Sequence, residues 1–219
     1  MKVQFFDIVS IAAIFSYFVP ALIVVLKQLW KDAFFVLFAI YWAIGGLVNF
    51  CDILPMVSEK ACYQIGVLYN TLDIPFILAI LYCTSSSRQI KMVVPFAAAA
   101  IVCMEIIGLA THGFHYESLK YSLGAGILIV LIVVATEIVR YMQTIEHSTR
   151  QNAKMFVYAA VLFEYATFIV IYIFDYFIKS EETVDGYLIY YFSTLGAIVI
   201  ASCGYLLPRR YEKASTFSH

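Results

Sequence analysis

Apolar residues along this chain come in long unbroken runs, separated only by short polar clusters. Seven such runs lie at about Phe5–Leu26, Ala33–Leu54, Tyr63–Cys83, Val93–Thr111, Leu119–Tyr141, Lys154–Ile178 and Tyr187–Leu207, and together they take up almost all of the 219 residues. A hydrocarbon core about 30 Å thick is crossed by roughly 20 apolar residues in a helix, and every run has about that length. The pattern predicts an all-α integral membrane protein, a seven-transmembrane-helix bundle whose helices we number α1 to α7 in chain order. A transmembrane β-barrel would show weak alternation over strands of ~10 residues, which continuous apolar runs argue against.

Composition supports this reading: 63% of the residues are hydrophobic, 13% are charged, and the mean hydropathy is +0.87. Soluble domains carry about 25% charged residues. The longest loop, about a dozen residues, is too short for a separate soluble domain. Residues 1–208 therefore read as one membrane domain and 209–219 as a short polar tail. The net charge of −1 comes without any basic patch of the kind that follows nucleic acid.

Charge distribution sets the expected orientation, because every loop is short enough for the positive-inside rule. With the N-terminus outside, the inner side receives Lys27, Lys31, Arg88, Lys91, Arg140, Arg150, Lys154, Arg209, Arg210 and Lys213, ten of the fourteen basic residues. Lys2, Lys60, Lys120 and Lys179 stay outside, where Asp7, Asp52, Glu59, Glu117, Asp175, Glu181, Glu182 and Asp185 also fall. The expectation is N-terminus outside and C-terminus cytoplasmic, with the inner membrane of a bacterium as the default location. The first run carries a single Lys2, is followed by Lys27 and Lys31, and has no small-residue cleavage site, so it reads as an uncleaved helix.

Charged side chains at bilayer depth are expensive, about 2.5 to 3.5 kcal/mol at a helix centre on insertion scales, and they tend to mark function. Asp73 falls at the middle of α3 and Glu164 at the middle of α6, Glu105 lies in the outer half of α4, and Glu137 near the inner end of α5 sits three residues before Arg140. Helical spacing puts Asn70 with Asp73 on one face of α3. It aligns Tyr41, Gly45, Asn49 and Asp52 on α2, Glu105, Gly108 and His112 on α4, and Glu164, Thr167 and Asp175 on α6. If these stripes converge, they form an acidic, outward-facing cavity between α2, α3, α4 and α6, with Tyr69 and Tyr165 as lining candidates. The competing reading makes Asn49, Asn70 and Asp73 interhelical glue, worth about 0.6 kcal/mol per hydrogen bond, and Glu137–Arg140 a local ion pair. No Lys or Arg occurs at midplane depth beside Asp73 or Glu164, and carboxylates without a counter-charge favour their protonated form.

Several elements read as architecture. Pro75 and Pro20 each remove a backbone donor and loosen α3 and α1. Gly45, Gly46, Gly124, Gly126 and Gly196 permit close helix approach, while Tyr116, Tyr121, Tyr187, Tyr190 and Tyr191 fall where an aromatic belt is expected. Cys83, Cys103 and Cys203 read as small core residues, and Cys51 and Cys62 flank the second loop, close enough for a disulfide to be considered.

Other chemistries find no support. The α7 run has no lysine for retinal attachment. His112 and His115, near Glu105 and Glu117, are the one pairing with zinc-like spacing, and no metal or cofactor is expected. No phosphate-binding Gly loop and no nucleophile elbow appear. The leading expectation is a small transporter or channel-like protein for a proton, cation or small cationic solute. Asp73 and Glu164 bind the charge, with Asn49, Asn70 and Glu105 along the route. An intramembrane lipid-modifying enzyme using paired carboxylates, or a receptor-like sensor or partner-binding subunit, are the alternatives.

Overall fold

The computed structural model describes residues 2–54, 56–178 and 183–208, with the side chains of residues 2–4, 52, 175 and 183–187 outside that description. Among the described residues, seven helices are long and apolar enough to cross a membrane: α1 Phe5–Lys27, α2 Ala33–Phe50, α3 Glu59–Thr84, α4 Arg88–His112, α5 Tyr116–Met142, α6 Thr149–Ile178 and α7 Leu188–Leu206. The chain is an all-helical integral membrane protein.

Polar residues at the membrane edges extend three helices beyond their apolar runs. The first N–H groups of a helix have no partner within it, and side chains supply one. Asp32 accepts from the Phe34 amide (3.2 Å) at the start of α2, Ser58 from Ala61 (3.3 Å) at α3, and Ser87 from Ile90 (3.4 Å) at α4. At α6, Ser148 and Gln151 form a reciprocal capping box, with bonds of 3.3 and 2.8 Å. These caps explain why α3, α4 and α6 begin four or five residues earlier than hydropathy alone places them.

The two prolines behave differently. The span α1 breaks into Lys2–Ser16 and Val19–Lys27, one turn before Pro20, where the Pro ring would meet the carbonyl four residues back. Helix α3, by contrast, runs unbroken through Pro75 from Glu59 to Thr84. The expected loosening beside Asp73 leaves no gap in the helix, because packed neighbours tolerate one missing bond in a membrane span.

The packing is a ring with one outlier. Helix α1 contacts α2 and α7, α2 contacts α3, α3 contacts α5, α5 contacts α6, and α6 closes against α7. Helix α4 lies outside this ring against α3 and α5. Its apolar window is 17% buried, against 33–44% for the others. Two glycines set close approaches: a Cβ on Gly108 would lie 2.2 Å from the Ser118 carbonyl oxygen, and one on Gly126 would lie 2.6 Å from the Ile74 side chain.

Contacts across the ends fix the register of the bundle. At the end holding the last turn of α1 and the first turn of α2, the Arg150 guanidinium bonds Asp32 at 2.7 Å and Lys27 donates to the Leu206 carbonyl. Glu137 accepts from Ser85 and pairs with Arg140 at 3.8 Å, the local ion pair read from their spacing. All seven described basic residues of the expected inner set cluster at this basic end.

The cysteines differ from expectation. Cys83, Cys103 and Cys203 are exposed on the bundle exterior rather than packed in its core. A small apolar side chain suits a lipid-facing surface as well as an interior, so hydropathy does not separate the two. Cys51 and Cys62 are free thiols, with the Cys62 thiol donating to the Cys51 carbonyl at 3.4 Å.

Candidate functional site

Three carboxylates are buried within the described residues: Asp73 (6% exposed), Glu105 (3%) and Glu164 (2%). Asp73 is near the middle of α3 and Glu164 near the middle of α6, and both sides of the ring turn them inward. The Tyr165 hydroxyl donates to Asp73 Oδ2 at 2.8 Å and lies 3.0 Å from the Tyr41 hydroxyl. The Tyr41 and Tyr69 hydroxyls face the same carboxylate at longer range. Trp42 Nε1 donates to Glu164 Oε2 at 3.0 Å. Asp73 Oδ1, fully buried, has no hydrogen-bond partner among the described residues. Among the described residues neither acid has a basic partner, and each is held by a neutral donor from α2 or α6.

A second polar chain continues from this centre toward the end opposite the basic cluster. Tyr17 on α1 lies 2.9 Å from the Tyr190 hydroxyl and 3.2 Å from Thr194 Oγ1, both on α7. Asn49 Nδ2 donates to Tyr190 at 3.1 Å and to its own-helix Gly45 carbonyl at 2.8 Å. Gly45 leaves room for Tyr69, whose hydroxyl would lie 3.0 Å from a Cβ there.

The half of the core toward the basic end is aromatic instead. Phe34, Phe35, Phe38, Trp42, Tyr158 and Tyr205 interlock in edge-to-face and tilted pairs, with ring centroids 4.9 to 6.3 Å apart. Within this block the Tyr205 hydroxyl donates to the Phe35 carbonyl at 2.8 Å. The centre is thus polar on one side of the two acids and sealed by rings on the other.

A groove lies beside Asp73. It encloses about 520 Å³ between α2 and α3 alone, walled by Ile44, Val48, Leu68, Leu72 and Phe76. It is apolar, and it opens on the outer flank of the bundle, where Leu68 and Leu72 are half exposed. Tyr69 and Asp73 contribute to its lining. Helix α4 does not reach it, because α4 stands outside the ring on the other side of α3.

The sequence-derived candidates therefore divide. Asp73, Glu164, Tyr165, Tyr69 and Asn49 join the central network or the groove, although Tyr165 is fully buried rather than lining a cavity. Asn70 turns back to the Gly66 carbonyl of its own helix at 3.1 Å, and Thr167 does the same to Phe163 at 3.0 Å. Glu105 ends the buried stripe Ile90–Val94–Ile101–Glu105 of α4, within electrostatic reach of Asp73 but outside its hydrogen bonds. The Asp52 and Asp175 side chains lie outside the described residues. His112 and His115 are exposed, and no three potential ligands gather for a metal among the described residues.

Tyr17, Trp42, Tyr190 and Thr194 belong to the network without having been singled out by sequence. Tyr190, expected in the interfacial belt with Tyr191, turns inward and stacks on Phe168 with ring centroids 5.6 Å apart. The available signal was spacing: Tyr190 and Thr194 are four residues apart on α7, as Tyr41 and Gly45 are on α2.

The fold and this centre define a polytopic helical membrane protein with carboxylates buried at mid-span. No protein-family model, curated protein or solved structure matches the chain.

Proposed function

We propose that the protein is a small transporter for a proton or small cation, with Asp73 and Glu164 as the charge-binding pair. The observation that carries this reading is the burial of both acids at mid-span without a basic partner among the described residues. Such groups are costly in a membrane and are functional sites by default. The chain Asn49–Tyr190–Tyr17–Thr194 supplies hydroxyl and amide groups on the approach from one end. Passage past the acids requires the Phe34–Phe38–Trp42–Tyr205 block to move. We further propose an N-terminus outside and a C-terminus in the cytoplasm of a bacterial inner membrane, on the charge asymmetry. The groove beside Asp73 gives a second reading some support: an enzyme acting on a lipid with Asp73 as acid or base.

The test is flux in proteoliposomes driven by a proton gradient. Asp73→Asn and Glu164→Gln keep shape and most hydrogen bonding while removing the titratable group. Both variants are expected to insert and fold as the parent does, and to lose at least tenfold of the flux. Parent-like flux in both variants overturns the charge-binding role, and absence of flux in the parent shifts the weight to the enzyme reading.

A further inference from the structure

The polar groups of the core form two hydrogen-bonded clusters that meet at Gly45. The outer cluster joins Asn49, Tyr190, Tyr17 and Thr194 through bonds of 2.9 to 3.2 Å. Asn49 and Tyr190 are partly exposed at its far end, whereas Tyr17 is 2% exposed and Thr194 is fully buried. The inner cluster joins Tyr41, Tyr165 and Asp73 through bonds of 3.0 and 2.8 Å, with the Tyr69 hydroxyl turned to the same carboxylate. A Cβ on Gly45 would lie 3.0 Å from the Tyr69 hydroxyl and 3.4 Å from Cε1 of Tyr17, the ring carbon next to the one bearing the hydroxyl. The missing side chain lets one residue of each cluster approach the same point. Tyr17 itself sits at the break between the two halves of α1.

We infer that the charge delivered to Asp73 is a proton, handed along these hydroxyls from Tyr190 through Tyr17 and Tyr69, with Gly45 as the joint between the clusters. A hydroxyl is donor and acceptor at once, so each takes a proton on its oxygen and releases its own hydrogen to the next. One O–H bond forms and one breaks at every tyrosine, each tyrosine ends neutral, and the proton comes to rest on the Asp73 carboxylate, which becomes a neutral acid. Asp73 Oδ2 already accepts from Tyr165, while Oδ1 has no partner among the described residues and is the open position. A metal ion does not fit this path. Even the small Mg²⁺ stands about 2.0–2.1 Å from each of six oxygens. Hydroxyls already in contact at 2.9 and 3.2 Å leave no space between them for an ion. This inference rests on Asp73 as the charge-binding residue of the proposed transporter, and it narrows the cargo from a small cation to the proton.

The test uses the full chain in proteoliposomes with an entrapped pH dye and a potassium diffusion potential set by valinomycin. The other external cation is sodium in one set of vesicles and N-methylglucamine in a second, and a parallel assay follows radioactive sodium. Proton uptake is expected at the same rate in both sets, with no sodium entry above that of empty vesicles. These arms are read on the unaltered protein, so no variant has to fold for them to be decisive. Tyr17→Phe and Tyr69→Phe keep the ring and lose the hydroxyl, and each should lower proton uptake at least tenfold. Gly45→Ala should lower it at least threefold, although alanine is the better helix former. Tyr172→Phe, whose hydroxyl bonds the Lys120 carbonyl away from both clusters, should keep the parent's rate. Parent-like proton uptake in both Tyr17→Phe and Tyr69→Phe overturns the relay and leaves proton transport standing, and an equal loss in Tyr172→Phe overturns the relay too. Sodium entry that Asp73→Asn abolishes removes the proton as cargo and leaves a cation transporter standing. Absence of any flux in the parent removes the transporter and the relay with it.

Discussion

Trp42 and Glu164 meet across the bundle: the indole N–H on α2 donates to the carboxylate on α6 at 3.0 Å, with both side chains at least 98% buried. These helices make this contact through long side chains rather than by close backbone approach. Breaking it leaves a buried acceptor with no replacement, at about 1–3 kcal/mol. Trp42→Phe should therefore lower thermal stability in detergent. A double-mutant cycle with Glu164→Leu should return a coupling of at least about 0.5 kcal/mol, and a coupling near zero would show that the bond contributes nothing.

Tyr165 stands between two partners: its hydroxyl donates to Asp73 and accepts from the Tyr41 hydroxyl. Tyr165→Phe should cost about 1–3 kcal/mol because it removes the 2.8 Å hydrogen bond to the buried Asp73 carboxylate. Tyr41→Phe should cost less, since the Tyr165–Asp73 bond survives it. Thermal unfolding of the two variants checks the order, and the reverse order would contradict this picture of the network.

Gly108 faces the Ser118 backbone carbonyl so closely that an added methyl forces the α4–α5 connection to shift. Gly108→Ala is expected to destabilise by about 1–3 kcal/mol, as overpacking does. Alanine favours a helix over glycine by about 1 kcal/mol, so a stabilised variant would show that the connection moves freely.

Met56, 94% exposed, and Ile145, 97% exposed, lie in the α2–α3 and α5–α6 connections at opposite ends of the bundle. In a background lacking the five native cysteines, Met56→Cys should react with an impermeant maleimide from outside and Ile145→Cys should not. The opposite pattern would invert the proposed orientation.

Seven helices were legible because a helix that satisfies its own backbone in lipid needs an unbroken apolar run of about fixed length. The ends were less legible, since Ser58, Ser87 and Ser148 start helices at polar positions that hydropathy counts as loop. A capping signature such as Ser148 with Gln151 does announce one of them. Asp73 and Glu164 stood out because a charge in an apolar run is conspicuous. Tyr17, Trp42 and Tyr190 did not, because an aromatic residue in a membrane helix fits the belt, the lipid face and the core equally well. The displacement of α4 from the ring could not be read from its own sequence, which is as apolar as its neighbours.

The division of the core into a polar half and an aromatic half also has an electrical meaning. For a cation entering from the polar end and stopping at Asp73, about half of the membrane's field lies along its path. A full crossing is worth about 2.3 kcal/mol per charge at 100 mV, so this half-crossing is worth roughly 1.2 kcal/mol. Occupancy of the acid would then change about sevenfold to eightfold for each 100 mV of potential, making the resting voltage itself a ligand of the site.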